Sequence, residues 1–160
     1  PLRVHVNRYA RRGGFDGFYT YFAADGFTHG SSTRNWNRLA KLAEETGTTF
    51  IPSVGPGYID TSVRPWNGAT TRGRQDGKYY DAMWDAALGV APTVVSVTSF
   101  NEWHEGTQIE PAQAMTSQAT GGRQYLNYRA LGENGYLERT AMWSSRLHAR
   151  LSHLSSTPSR

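Results

Sequence analysis

Cysteine is absent from the 160-residue chain, which excludes disulfides and thiolate metal sites within it and leaves both secreted and cytosolic settings open. No run of 18 apolar residues occurs, so no membrane contact is expected from this segment, and the start carries no signal-peptide pattern. The five histidines form no His-Glu-x-x-His pair, so neither a metal nor any other cofactor is expected. Gly55-Pro56-Gly57 lacks the Lys-Ser/Thr that would complete a phosphate loop. No repeat of solenoid period is present. A net charge of +4 raises the question of nucleic acid, but Arg3, Arg8, Arg11, Arg12, Arg64, Arg72, Arg74, Arg146 and Arg150 are scattered rather than gathered into a stripe, and no nucleic-acid partner is expected.

What remains is a chain with 38% hydrophobic and 12% aromatic residues, enough for a real core. Residues 15–22 are aromatic and β-prone and predict a strand after Gly13-Gly14. Ser31-Ser32-Thr33 can cap a helix whose inward positions are Trp36, Leu39, Ala40, Leu42 and Ala43 and which stops at Gly47. A second strand, 48–54, ends at Gly55-Pro56-Gly57 and opens a long loop to Asp76. Residues 77–88 predict a helix with Tyr80, Met83, Trp84, Ala87 and Leu88 on one side, and Pro92 separates it from a third strand at 93–98. A polar stretch, 113–122, leads to a last amphipathic helix over 136–153 with Tyr136, Thr140, Trp143, Leu147, Leu151 and Leu154 at helical spacing, followed by a frayed tail at 155–160. Alternation of strand and helix argues for parallel strands with the functional loops at their carboxyl ends.

One such loop is Asn101-Glu102-Trp103-His104-Glu105-Gly106-Thr107-Gln108-Ile109-Glu110. Glu102 and Glu105 are three apart, so a single helical turn would set them on one face with Cβ atoms about 5 to 6 Å apart. A carboxyl pair suits glycoside cleavage, where one group protonates the leaving oxygen and the other assists at the sugar. The plainer reading of such a pair is solvated surface charge. Tyr21 ends the first strand, with Tyr19 on the same face, and its phenol can bond a carboxylate or a sugar hydroxyl. Tyr58, Arg64 and Trp66 belong to the glycine-proline loop: arginine offers a fork of donors and tryptophan a stacking face, although Arg64 beside Asp60 reads equally as surface charge. Asn101, Trp103 and His104 flank the glutamates as substrate-binding candidates, and His29 is a weaker one.

Three stretches carry a resemblance: Phe15-Asp16-Gly17-Phe18-Tyr19-Thr20-Tyr21-Phe22, then Phe50 through Gly55-Pro56-Gly57-Tyr58-Ile59-Asp60-Thr61-Ser62-Val63-Arg64-Pro65-Trp66-Asn67, then Thr98 to Glu110. In order and spacing they are similar to the endo-α-1,2-mannosidases of glycoside hydrolase family 99, close to continuously from about Phe15 to Ala112 and more weakly to Trp143. Only residues 115–122 look unrelated. The resemblance implies an α/β fold, the C-terminal part of a (β/α)8 barrel. That barrel needs about 250 residues, and the chain begins with Pro1 rather than Met, so residues 1–154 are expected to be the C-terminal portion of a catalytic domain whose N-terminal portion is absent, inactive alone.

The resemblance also implies a retaining, endo-acting hydrolase cutting α-1,2-mannosidic bonds in N-glycans or mannan, with a mannose-containing glycan as partner. In the family, the glutamate matching Glu105 acts as general acid and then base, and the one matching Glu102 deprotonates the substrate's own 2-hydroxyl, giving a 1,2-anhydro sugar. The sequence alone does not choose between this and a covalent glycosyl-enzyme. Family resemblance further implies the Golgi lumen, with an anchor in the parent, for an animal-type protein, and export for a bacterial one. Two rivals stand beside it: a non-catalytic carbohydrate-binding module using Trp66, Trp103, Tyr58 and Arg64, and an interaction protein on a degraded barrel.

Overall fold

A computed structural model describes residues 13–61, 63–113 and 125–156. The first aromatic run pairs only over β1, Gly17–Tyr19. Gly17 is obligatory there, because a Cβ would lie 2.6 Å from the Thr49 carbonyl oxygen of the neighbouring strand. The predicted strand over 15–22 is therefore shortened, since at Thr20 a side chain replaces the backbone in the ladder: Ser53 N–H donates to Thr20 Oγ1 at 2.8 Å. Tyr21 then turns out at φ +60°.

The next strand is one stretch divided by Pro52, which has no N–H to give. Its first half, β2 (Thr49–Ile51), pairs parallel with β1 in the register Phe18↔Phe50. Its second half, β3 (Ser53–Val54), pairs parallel with β4 (Ser96–Val97), Val54 opposite Val97. The strand predicted over 93–98 is thus narrower, though Ser96 N–H to Pro52 O and Thr98 N–H to Val54 O anchor both its ends.

Helix α1 (Trp36–Thr46) follows a 3-10 turn at Thr33–Asn35 and buries Trp36, Leu39, Leu42 and Ala43. Its start is held differently from expectation. Ser32 makes no side-chain cap, and its hydroxyl donates to Thr28 O, while Asp25 Oδ1 accepts the Thr33 N–H at 2.8 Å. Gly47 ends the helix at φ +64°, and Thr48 N–H returns to Ala43 O at 2.9 Å, closing it as a glycine C-terminus does. Helix α2 (Lys78–Gly89) buries Tyr80, Met83, Trp84 and Ala87.

Helix α3 (Gly135–Ser156) runs on through Ser155 and Ser156, the first two residues of the expected frayed tail; 157–160, like the polar segment at 114–124 and Arg3, Arg8, Arg11 and Arg12, lie outside the described residues. So does the Leu154 side chain. Tyr136 and Trp143 face α2, where Trp143 stacks on Trp84 at 6.2 Å and Tyr136 meets Tyr80 edge-on at 5.6 Å. Asp81 fastens the pair of helices, accepting from Arg139 and from the Trp143 indole. Trp36, Tyr80 and Tyr136 are fully buried, and each such side chain contributes about 1.5 to 3 kcal/mol by leaving water.

Candidate active site

Because β1, β3 and β4 are parallel, their carboxyl ends open on one side, and three loops meet there. The loop after β3 begins with buried Gly55-Pro56-Gly57. At Gly55 a Cβ would fall 2.3 Å from that of Ala23 and 2.7 Å from the Thr98 carbonyl oxygen, so the three strand ends cross too closely for any side chain. Tyr58 and Arg72 exchange backbone hydrogen bonds of 2.8 and 2.7 Å and close the loop into a neck.

Within that neck Asp60 has a fully buried side chain. Its carboxylate accepts from Arg64 Nη1 at 2.5 Å, from Tyr58 OH at 3.0 Å and from Asn67 Nδ2 at 3.2 Å. Burial alone would raise the Asp60 pKa; hydrogen bonds from Arg64, then Asn67 and Tyr58, outweigh it and hold the carboxyl below its ordinary range. Burial, and the proton it donates to Asp60, push the Tyr58 phenol up to about 12. Arg64 is raised further above its ordinary value, first by Asp60 and then by Glu105, and stays charged.

Arg64 Nη1 also donates to Glu105 Oε1 at 2.9 Å, and Ile59 N–H donates to the Glu105 carbonyl at 2.8 Å. Glu105 is thereby joined to the second loop by side chain and backbone.

The loop after β4 does not form the helical turn that the glutamate spacing admits. The Thr98–Ser99 peptide is cis. Ser99 Oγ accepts the Glu102 N–H at 3.0 Å and meets Thr107 Oγ1 at 2.7 Å, while Thr107 N–H donates to Glu102 O. Gly106, at φ +61°, closes a turn onto Trp103 O. The two carboxylates end in unlike surroundings. Glu102 is exposed and its Oε1 accepts the His104 N–H at 3.3 Å; Glu105 keeps 27% of its side chain accessible and is ion-paired.

The other candidates distribute around this pair. Tyr21 is 53% exposed, with its N–H on Ser53 Oγ at 2.8 Å and its carbonyl accepting from Thr98 Oγ1, so it is tied to the ends of both β3 and β4. It does not continue β1, but its ring still lies edge-on to Tyr19 at 6.1 Å. Trp66, in the 3-10 segment Pro65–Thr70, is 81% exposed. Asn101 is exposed at the head of the turn.

Trp103 is half-buried against the core, donates its indole N–H to Glu110 and meets Tyr125 edge-on at 6.0 Å. His104 is exposed, its Nδ1 3.4 Å from Tyr125 OH. His29 is exposed in the first loop.

Four participants had no role assigned from sequence: Asn67, Ser99, Thr107 and Tyr125. Asp60 was visible only as a charge beside Arg64, although a carboxylate four residues before an arginine was the available signal. Among the described residues no group of three His, Cys, Asp or Glu side chains could hold a metal ion, and no helix is long and apolar enough to cross a membrane.

The family model of Glycosyl hydrolase family 99 matches residues 4–149. Glycoprotein endo-alpha-1,2-mannosidase of Rattus norvegicus is 56% identical over 133 residues, covering 83% of this chain and 28% of that protein. The Xenopus laevis protein of the same name is 52% identical over 142 residues, covering 89% and 31% respectively. The chain therefore spans less than a third of the length of these relatives. The GH99 endo-alpha-mannosidase of Bacteroides thetaiotaomicron superposes with a TM-score of 0.84 at 49% identity, covering 94% of this chain and 43% of that one. Such structures are (β/α)8 barrels, and the described elements are a partial segment of that barrel. The chain belongs to glycosyl hydrolase family 99.

Proposed function

We propose that the chain is the glutamate-bearing part of a retaining, endo-acting glycoside hydrolase that cuts internal α-1,2-mannosidic bonds in N-glycans or mannan. The observation that carries this reading is the asymmetry of the two carboxylates, one solvent-facing on a backbone amide and one held by an arginine. Two acid–base tasks at one sugar call for two unlike environments.

In the first step Glu102 takes the proton of the substrate's 2-hydroxyl as that oxygen bonds to the anomeric carbon. The C1–O bond breaks, and Glu105 gives its proton to the departing oxygen. In the second step Glu105 takes a proton from water, which attacks the anomeric carbon of the 1,2-anhydro sugar and breaks its bond to O2, and Glu102 returns its proton to O2. Two inversions give overall retention. The exposed rings of Trp66 and Tyr21 offer sugar-stacking faces at the rim, with Tyr58, Asn101, Trp103 and His104 on the loops around the glutamates. The names of the animal relatives support a glycan-processing compartment, and we assign the Golgi lumen to a protein of that type.

A full-length enzyme carrying this segment tests the roles. An activated aryl glycoside scarcely needs a proton for departure, so Glu105→Ala should keep much of its first-step rate on it and lose far more on the natural glycan. Glu102→Ala should be crippled on both. Equal losses on both substrates would remove the assignment, and azide rescue of Glu102→Ala with an inverted glycosyl azide would point to a covalent nucleophile. Trp66, so openly exposed, favours one rival: a carbohydrate-binding module would keep its affinity and show no turnover with or without both glutamates.

A further inference from the structure

Arg74 stands just beyond the neck of the Asp60 loop and is only 9% exposed, yet among the described residues it forms no ion pair. Burying a guanidinium without an anion is costly, so its surroundings must compensate. Tyr128 and Tyr136 do so in part, their rings 5.0 and 4.6 Å from the guanidinium carbon. A methionine could fill this slot as well. What it could not do is what Nη2 does: donate to Gly106 O at 3.0 Å and to Gln108 O at 2.7 Å.

Those carbonyls flank Thr107, whose N–H bonds Glu102 O and whose hydroxyl meets the Ser99 hydroxyl that accepts the Glu102 N–H. Gly106 directly follows Glu105. Arg74 is itself fixed from the other loop: Gly57 gives it room, since a Cβ there would sit 2.9 Å from Arg74 Cγ. Tyr128 reinforces the same strip, its hydroxyl donating toward Gln108 O at 3.1 Å and Glu110 O at 2.5 Å.

We propose that Arg74 is a positioning residue that stitches the Asp60–Arg64 loop to the glutamate loop and sets both carboxylates through the backbone at Gly106 and Gln108. The proposal rests on the catalytic reading of Glu102 and Glu105. Arg74 is buried and acts through the backbone, so its loss should lower kcat and spare KM. A displacement of about 1 Å in such a loop is enough for about a hundredfold loss.

The experiment compares Arg74→Lys, Arg74→Ala and Glu105→Gln in a full-length enzyme carrying this segment, with thermal unfolding measured alongside kinetics. Arg74→Ala should lose about a hundredfold in kcat with KM within about threefold. Lysine, a point charge without the fork, should recover part of that loss. Millimolar guanidinium should recover more, entering through the cavity of about 240 Å³ that Arg74 lines with Ile59, Tyr128 and Tyr136. If Arg74→Ala does not fold, the same split between kcat and KM is read on Arg74→Lys. Folded variants with unchanged kcat, or losses that only track the folded fraction and ignore guanidinium, overturn the proposal. Should Glu105→Gln be inactive while Arg74→Lys equals the unaltered enzyme, only the positioning role falls; should Glu105→Gln keep full turnover, the catalytic reading falls and this one with it.

Discussion

Asp60 is the residue on which the second loop turns. It accepts hydrogen bonds from three side chains, and its carbonyl takes the Val63 and Arg64 N–H groups at 2.8 and 2.7 Å. Asp60→Asn keeps the shape but sets an amide N–H against donors. A hydrogen bond to a charged group is worth about 1.5 to 3 kcal/mol, and Arg64, with 43% of its side chain in solvent, argues for the lower end. In a full-length enzyme carrying this segment the variant should therefore lose about 1.5 kcal/mol in urea unfolding at pH 7.

Because the Asp60 pKa is lowered in the fold, that stability is present above about pH 4, the unfolded value, and is lost as pH falls through the folded one. The gap between Asp60→Asn and the unaltered protein should close toward pH 2, and a gap independent of pH would show that charge is not what matters. Arg64 and Tyr58 were legible in sequence as polar loop residues near two glutamates. Asp60 was not, because its importance comes from burial, and Asn67 was not, because only the fold brings its amide to Asp60; the loop's composition does not disclose which polar side chain turns inward.

At the scale of elements, helices were easier to read than strands. The spacing of Trp36, Leu39, Leu42 and Ala43 and the glycine at 47 describe α1 nearly to the residue, because an amphipathic stripe and a left-handed terminus are local signals. Strand lengths depend on what lies alongside. The aromatic run at 15–22 pairs over three residues because Thr20 and Ser53 substitute side chain for backbone, and Pro52 hands the pairing from β1 to β4.

The start of α1 depends on tertiary contact in the same way. Asp25 receives the Thr33 N–H while its own N–H meets Tyr79 OH and its carbonyl accepts from Arg72. In a full-length enzyme carrying this segment, Asp25→Ala should cost about 1 kcal/mol, and Asp25→Asn, which keeps an acceptor oxygen, only a fraction of that, as read by thermal unfolding. Equal costs for the two would mean that the cap contributes nothing.

For the whole molecule, the pairing pattern leaves β1 bonded only to β2 and β4 only to β3 among the described residues, and the chain covers 43% of the barrel it superposes on. Unpaired strand edges recruit other strands. Residues 1–160 expressed alone should run as aggregates in size-exclusion chromatography and release no mannoside product; a monodisperse, active preparation would show that the segment is self-sufficient.

The chain as a whole carries a formal charge of +4, and at the carboxyl end of its strands Arg64 stands between Asp60 and Glu105, within 2.9 Å of each. For the neutral glycan of the proposed function this charge offers no long-range pull, and capture is left to contact at the aromatic rim. Under the same reading, Glu102 supplies negative charge where positive charge gathers on a sugar as its glycosidic bond opens: the field is matched to a moment of the reaction rather than to the molecule that arrives.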